Sequence, residues 1–385
     1  MRPFEYHVPT RLLVGSGQLE ALSSLVPGGK KILCIYAGAS AQASGALDAV
    51  RAALSGREYI EHFGVRANPT IEDADPITES ARSFGAEFIL AVGGGSVIDL
   101  AKFVAATVRA EEDSFTLLTR GKKPESPLPV GAVVTRAGTG SESNGIAAMS
   151  SARTAQKLVY IHPGTVPRFA ILDPALLRSL PRPALARGIA DAFVHVLEQT
   201  ATYPTEDIVQ QHLAEALLKS LLSVGEELIR DQVKDSTLTN FLWASSLAQG
   251  GLVSTGTPED WATHFIGHEL TALLGIEHAD TLTYVLPVVY QARFEKKKER
   301  LAQLGARVFE LQGEPEEVAQ LTLARIVSFF RDLGLPTKLH ELSLTDAQIQ
   351  RIVAGLKSAR RLRLGERLDL GLPEIEALLR AASRG

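Results

Sequence analysis

Residues Glu87–Lys102, EFILAVGGGSVIDLAK, decide how this chain is read. EFILAV is a short apolar run of the kind found in strands buried on both faces, and it stops at Gly93, Gly94 and Gly95. IDLAK then opens a helical pattern. Strand, tight turn and helix in that order form the repeating unit of a parallel sheet. The glycines also let an anion approach the backbone, where free amides and the helix dipole favour a diphosphate. The same residues fit a plain strand-to-helix turn with Ser96 and Asp99 spaced as a capping box, and they are not the G-x-G-x-x-G fingerprint.

Outward from this stretch, KKILCIYAG, REYIEHFGV and PVGAVVTRAG read as further strands, alternating with helical segments such as ASGALDAVRAAL. LVYIHPG and RFAILDP are expected as strands paired in a hairpin. A second strand end, TRAGTGSES, carries Thr135, Gly138, Thr139, Gly140 and Ser141, and in a parallel sheet both loops leave the same carboxyl edge, where nucleotides bind. After the proline-rich SLPRPA, nearly every segment from Pro183 reads as amphipathic helix. The expected organisation is an α/β dinucleotide-binding domain with a Rossmann-like parallel sheet over residues 1–180 and an all-helical domain over 181–385. The 385 residues and 41.4 kDa exceed what one core usually supports.

The helical half carries its own signal in WATHFIGHELTALLGIEHAD, Trp261–Asp280. Thr257 suits the cap, Pro258 the first helical position and Gly275 the stop. His264 and His268 then share one face, a turn apart, with His278 just beyond. Two histidines so spaced hold a divalent metal or serve as bonded core residues. Upstream, ARGIADAFVHVLEQT repeats the spacing in Asp191 and His195, and an aspartate among apolar neighbours is costly to bury without a partner. A shared metal relieves both helices.

The composition bounds the partners. Forty basic against forty-four acidic side chains give a net charge of −4, with 45 % hydrophobic residues, so neither a nucleic-acid nor a membrane surface is indicated. Cys34 is the only cysteine, which excludes an intrachain disulfide or thiolate cage and leaves nitrogen and oxygen as metal ligands. No signal peptide or membrane span is read, so a cytoplasmic protein is expected. The run EKKKER, Glu295–Arg300, reads as a solvated helical face.

GGGSVIDLAK, AGTGSESN, ADAFVHVLEQ and DWATHFIGHEL with EHADTLTYVLP, in that order, resemble the metal-dependent, iron-type (group III) alcohol dehydrogenases, particularly their butanol dehydrogenase and broad-range aldehyde reductase branch. The resemblance implies a dehydroquinate synthase-like architecture with the active site in the cleft between the domains. It implies hydride transfer between a nicotinamide and a primary alcohol or aldehyde whose oxygen is polarised by a divalent metal, by family habit Fe2+ or Zn2+. Carried over residue by residue, the metal ligands would be Asp191, His195, His264 and His278. His268 would neighbour the metal and pass a proton or hold the cofactor. Gly94, Gly95, Ser96 and Asp99 would surround the pyrophosphate and ribose, and Thr135, Thr139 and Lys157 would line the cofactor site.

In CIYAGAS, the small neutral Ala37, Gly38, Ala39 and Ser40 stand where a carboxylate would bond the ribose of NAD, which predicts NADP(H) over NAD(H), with Gly38 and Ser40 at the cofactor. Arg136 departs from the family pattern, as a surface bystander or as a group attracting an acidic substrate or cofactor phosphate. Phe193, Trp261 and Phe265 are expected mostly in the core. A homodimer through the strand FEYHVP pairing with its copy is also expected. The alternatives are a metal- and nucleotide-dependent lyase of the dehydroquinate synthase type and a glycerol-dehydrogenase-like polyol oxidation. The glycine loops argue against a hydrolase without nucleotide, and the intact ligand set against a vestigial binding protein.

Overall fold

The computed structural model describes residues 2–120, 123–230 and 233–384. They group into two compact units, one of His7–Leu185 with Val233–Gly250, the other of Met1–Tyr6, Ala186–Gln232 and Gly251–Gly385. The second unit thus takes in the N-terminal residues, and the first takes in one helix from the C-terminal half. An amphipathic pattern says that a helix buries one face, not which core receives it.

In the first unit the strands are β1 Arg11–Val14, β2 Ile32–Ala37, β3 Tyr59–Val65, β4 Phe88–Gly93, β5 Val130–Val134, β6 Ile146–Ser151, β7 Gln156–Ile161 and β8 Phe169–Leu172. Six of them form a parallel sheet in the order β1-β8-β5-β4-β2-β3. β4, β5 and β8 are buried at every residue, which explains their unbroken apolar runs. Cys34 is buried in β2, where loss of solvent pushes its thiol up to about 12. The chain runs from β2 out to β3, returns past β2 to β4 and continues to β5. The strand order thus reverses between β2 and β4, the crevice where ligands of such sheets bind.

The expected hairpin of LVYIHPG with RFAILDP is not formed. RFAILDP supplies β8, inside the parallel sheet between β1 and β5, while LVYIHPG supplies β7, whose antiparallel partner is β6. The burial patterns explain the exchange: β8 is covered on both faces, whereas β6 alternates buried and half-buried residues as a one-sided hairpin strand does.

The helices of this unit include α1 Ala46–Ala53, α2 Ile71–Phe84 and α3 Gly95–Thr107. Thr70 and Asp73 close a capping box at the start of α2. α3, almost wholly buried, packs on β4 and β6.

The second unit holds α4 Arg182–Thr200 from Ala186 onward, and α5 Ile208–Ile229, while α6 Asp235–Ala248 belongs with the first. It continues with α7 Ala262–Leu274, α8 His278–Ala292, α9 Phe294–Val308, α10 Pro315–Asp332, α11 Asp346–Ser358 and α12 Leu372–Ala382. α9 packs along α10, and α7 on α8 and α11. One two-residue strand pair, β9 Arg363–Leu364 with β10 Leu370–Gly371, interrupts the helical character. Among the described residues no helix is long and apolar enough to cross a membrane.

EKKKER is not a solvated face. Lys297 is fully buried, paired with Asp260 at 2.6 Å and Glu366 at 3.4 Å and donating to the Ala201 carbonyl at 2.7 Å. Arg300, also buried, meets Glu215 at 2.9 Å. Lys297 and Arg300 share one stripe of α9, with Arg293 at its N-cap, and each cation finds a carboxylate from a distant segment, which permits its burial. Glu295, Lys296 and Glu299 face solvent as expected.

Candidate functional site

α4 presents Asp191, His195 and Glu198 at successive turns of one face, and α7 presents His264 and His268. α7 begins later than Thr257 suggests. Thr257 bonds locally to the Ser254 carbonyl, and the free amides of α7 are met instead by Asp260 Oδ1, which accepts from Ala262 N–H at 3.0 Å, and by Glu198. Glu198 Oε1 accepts from Thr263 N–H at 2.6 Å and Oε2 from His264 N–H at 3.1 Å. A carboxylate from another helix thus serves as the cap. Trp261 enters at φ 62°, a strained conformation for a non-glycine residue, and stacks its edge on the His264 ring at 5.1 Å. Gly275 ends α7 in the left-handed conformation, and His278 opens α8 rather than sitting in a turn. Arg187 clamps the first turn of α8 to α4 by a two-pronged pair with Asp280, both bonds 2.9 Å.

These helices converge on one atom. Asp191 Oδ1 lies 3.6 Å from His195 Nδ1, 3.9 Å from His264 Nε2 and 3.9 Å from His278 Nε2. The donor atoms of Asp191, His195 and His264 all lie within 4.8 Å of one another, and all three residues are buried. Asp191 Oδ1 and His264 Nε2 have no hydrogen-bond partner although both are buried, an arrangement proteins otherwise avoid. A divalent ion with bonds of about 2.0–2.2 Å suits nitrogen and oxygen donors at these separations, so the residues fit the group.

Burial opposes charge at Asp191, yet the surrounding imidazoles hold its carboxyl well below the usual range. Burial likewise opposes the charged form of His264, but Glu198 and Asp191 raise it to about 9, so that a cation and a proton compete for the same nitrogen.

Glu198 is a site residue beyond those the sequence motifs indicate. Its side chain is fully buried, and Oε2 also meets His264 Nδ1, which turns Nε2 of that ring toward Asp191. The signal was available: Glu198 stands seven residues after Asp191 and three after His195, an isolated carboxylate on the same stripe. His268 is buried, with its ring 5.0 Å from that of His278. Phe193 is core, packed against Phe329 and Phe330, whereas Trp261 and Phe265 are only half-buried. Phe265 lies beneath the Arg361 guanidinium at 3.8 Å.

In the first unit, β2, β4 and β5 are neighbours, and Gly38, Gly94–Ser96, and Thr135 with Thr139 follow their carboxyl ends. The Ser96–Asp99 capping box is absent. Gly94 caps α3 without a side-chain bond, and both oxygens of Asp99 accept from elsewhere, Oδ1 from Ser141 Oγ at 2.5 Å and Oδ2 from Ala148 N–H at 3.1 Å. Lys157, buried on β7, donates to Asn68 Oδ1 at 2.8 Å. Arg136, half-buried, follows Thr135 with its Cβ directed at Gly94.

Glycine-bearing turns at a parallel-sheet edge in one unit and a nitrogen–oxygen donor cluster in the other are the parts a metal-dependent nicotinamide oxidoreductase needs. Residues 9–174 match the family model for iron-containing alcohol dehydrogenase, and residues 185–382 that for the C-terminal part of the Fe-containing alcohol dehydrogenase family. The chain is 36 % identical to the NADPH-dependent aldehyde reductase YqhD of Escherichia coli, over 99 % of this chain and 100 % of the relative. It is 31 % identical to the probable NADH-dependent butanol dehydrogenase 1 of Bacillus subtilis, again over 99 % and 100 %. A crystal structure of the E. coli K-12 protein YqhD superposes with a TM-score of 0.96, covering 99 % of each chain. The chain therefore belongs to the iron-containing alcohol dehydrogenase family, in its butanol dehydrogenase and aldehyde reductase branch. It is an oxidoreductase of the alcohol dehydrogenase and aldehyde reductase type, and the lyase and polyol alternatives are not favoured.

Proposed function

We propose that this chain reduces small and medium aliphatic aldehydes with NADPH at a divalent ion, iron(II) or zinc, ligated by Asp191, His195, His264 and His278. The observation that carries the reading is the convergence of three imidazole nitrogens, at 3.6–3.9 Å, on one buried and otherwise unbonded carboxylate oxygen. When bound, the ion supplies Lewis acidity to the aldehyde oxygen and the reduced nicotinamide supplies hydride to its carbon.

The chain's own residues do the rest. Asp191 contributes the anionic donor, and Glu198 fixes the His264 ring so that Nε2 stays directed at the shared point. The Trp261 ring covers His195 and His264 and limits water. His268 is the residue assigned to exchange a proton with the substrate oxygen through a ring nitrogen. Gly38, Ser40, Gly94, Gly95, Ser96, Thr135, Thr139 and Lys157 make up the cofactor site, with Asp99 behind it.

Cofactor choice rests on the end of β2, where Gly38 and Ser40 are exposed and no carboxylate occurs among residues 37–40 to repel a 2′-phosphate. The named relatives divide between NADPH and NADH, so family membership alone leaves this open. The expected result is a kcat/KM with NADPH at least about tenfold above that with NADH, the value of one charge-assisted hydrogen bond. Initial rates with a panel of aldehydes and both reduced cofactors, on metal-reconstituted protein, test it; parity or a preference for NADH overturns the NADP assignment. A homodimer is part of the same reading. Phe4 and Tyr6 are half-exposed and residues 4–9 form no strand within the chain, which leaves them free to pair with a copy. Light scattering of the full-length chain should give twice the monomer mass, and a monomer mass would refute this.

A further inference from the structure

The two glycine turns at the sheet edge are in contact. A methyl group on Gly94 would stand 2.9 Å from Arg136 Cβ, and one on Gly95 would stand 2.5 Å from Thr139 Oγ1. Both positions therefore serve the fit of one turn against the other as well as any approach of a phosphate. What sets that fit lies behind the turns, in α3.

Lys102, two turns into α3, is fully buried. Its ammonium donates to Ser141 Oγ at 2.8 Å, Asn144 Oδ1 at 3.1 Å and the Ile146 carbonyl at 2.7 Å. All three donors thus act on one segment, the one that follows the Thr139–Gly140 turn. Ser141 accepts from Lys102 and passes its own hydrogen to Asp99 Oδ1 at 2.5 Å, while Asp99 Oδ2 holds Ala148 N–H at 3.1 Å. Asn144 Nδ2 reaches the carbonyls of Gly140 and Gln249, both at 3.1 Å, and Ser143 meets Ser246 at 2.5 Å, so α6 grips the same segment from its other side. Burial pushes the Lys102 ammonium down to about 8 and the Asp99 carboxyl up, and their mutual attraction across 4.0 Å opposes both shifts. Ionic groups kept in so dry a place are better suited to fixing a register than to adding stability.

We infer that Lys102 and Asp99 are positioning residues for the cofactor: acting through Ser141, they lock the Thr139–Gly140 turn against the Gly94–Ser96 turn, so that the dinucleotide meets a preformed site. The inference rests on the reading of these turns as the dinucleotide site. It removes Asp99 from direct cofactor contact and gives it, with Lys102, an indirect role.

The test is a double-mutant cycle on the full-length chain, with NADPH affinity measured by fluorescence titration and steady-state kinetics alongside. Ser141→Ala deletes the shared hydroxyl with little loss of volume and should leave the thermal midpoint near that of the wild type. Its NADPH Kd is expected to rise about tenfold, as for loss of a hydrogen bond to a charged group, while kcat at saturating NADPH stays within about twofold. Asp99→Asn should behave alike, and the double variant should bind no worse than the weaker single variant, because all three act on one linkage. Wild-type affinity in a folded Ser141→Ala, or effects that multiply in the double variant, would overturn the inference and leave the dinucleotide reading intact. A wild-type chain whose titration shows binding of neither NADPH nor NADH would instead sink the dinucleotide reading itself, and the inference with it.

Discussion

His278→Ala should purify folded, retain little divalent ion after dialysis, and reduce aldehydes about 10³-fold more slowly, the loss expected when several kcal/mol of Lewis-acid stabilisation disappears. The fold should tolerate the change, because His278 opens α8 at a partly exposed position and the Arg187–Asp280 pair holds that turn independently. Metal content by elemental analysis and kcat/KM on the same sample are the measurements. His268→Ala is the contrasting arm. It should keep the ion and lose about 10²-fold or more in kcat, as befits removal of a proton-exchanging group. Full metal occupancy in His278→Ala, or metal loss in His268→Ala, would show that the ligand set has been drawn wrongly.

Glu198→Gln comes next in size, with an expected weakening of metal affinity of about 10–100-fold and a matching fall in activity at limiting metal. One carboxylate here accepts two backbone N–H groups and faces a ring nitrogen of a ligand. An amide in its place turns an N–H₂ toward donors, so the start of α7 loosens and the His264 ring loses the partner that directs Nε2. Metal titration by competition with a chelator reads the effect. Because excess metal should restore much of the rate, rescue separates a positioning role from a direct one. Affinity equal to the wild type would mean that Trp261 and the helix alone orient His264.

Much of this architecture is legible in local patterns. The apolar runs of β2, β4 and β5 announce a buried parallel sheet, and the four-residue spacings Asp191–His195 and His264–His268 announce two polar stripes on apolar helices. Periodicity was less informative where an element's partner lies far away in sequence. RFAILDP and LVYIHPG are adjacent strand patterns, yet the four buried residues of β8 belong between β1 and β5. EKKKER reads as a solvated face from local composition. Asp260, Glu366 and Glu215, which pair with two of its residues, come from other segments.

Local sequence patterns already contain the chemistry available: imidazole and carboxylate donors at helical spacing, glycine turns after apolar strands, and a lone cysteine that excludes a thiolate cage. Which donors meet depends on the packing of elements distant in the chain. That packing brings His264 Nε2 and His278 Nε2 to one oxygen of Asp191, sets Glu198 behind His264, and commits Asp99 to Ser141 and Ala148. The physical reason is that backbone periodicity fixes which face of an element a side chain occupies. What that side chain touches depends on how separate elements pack and on which buried polar groups must satisfy one another.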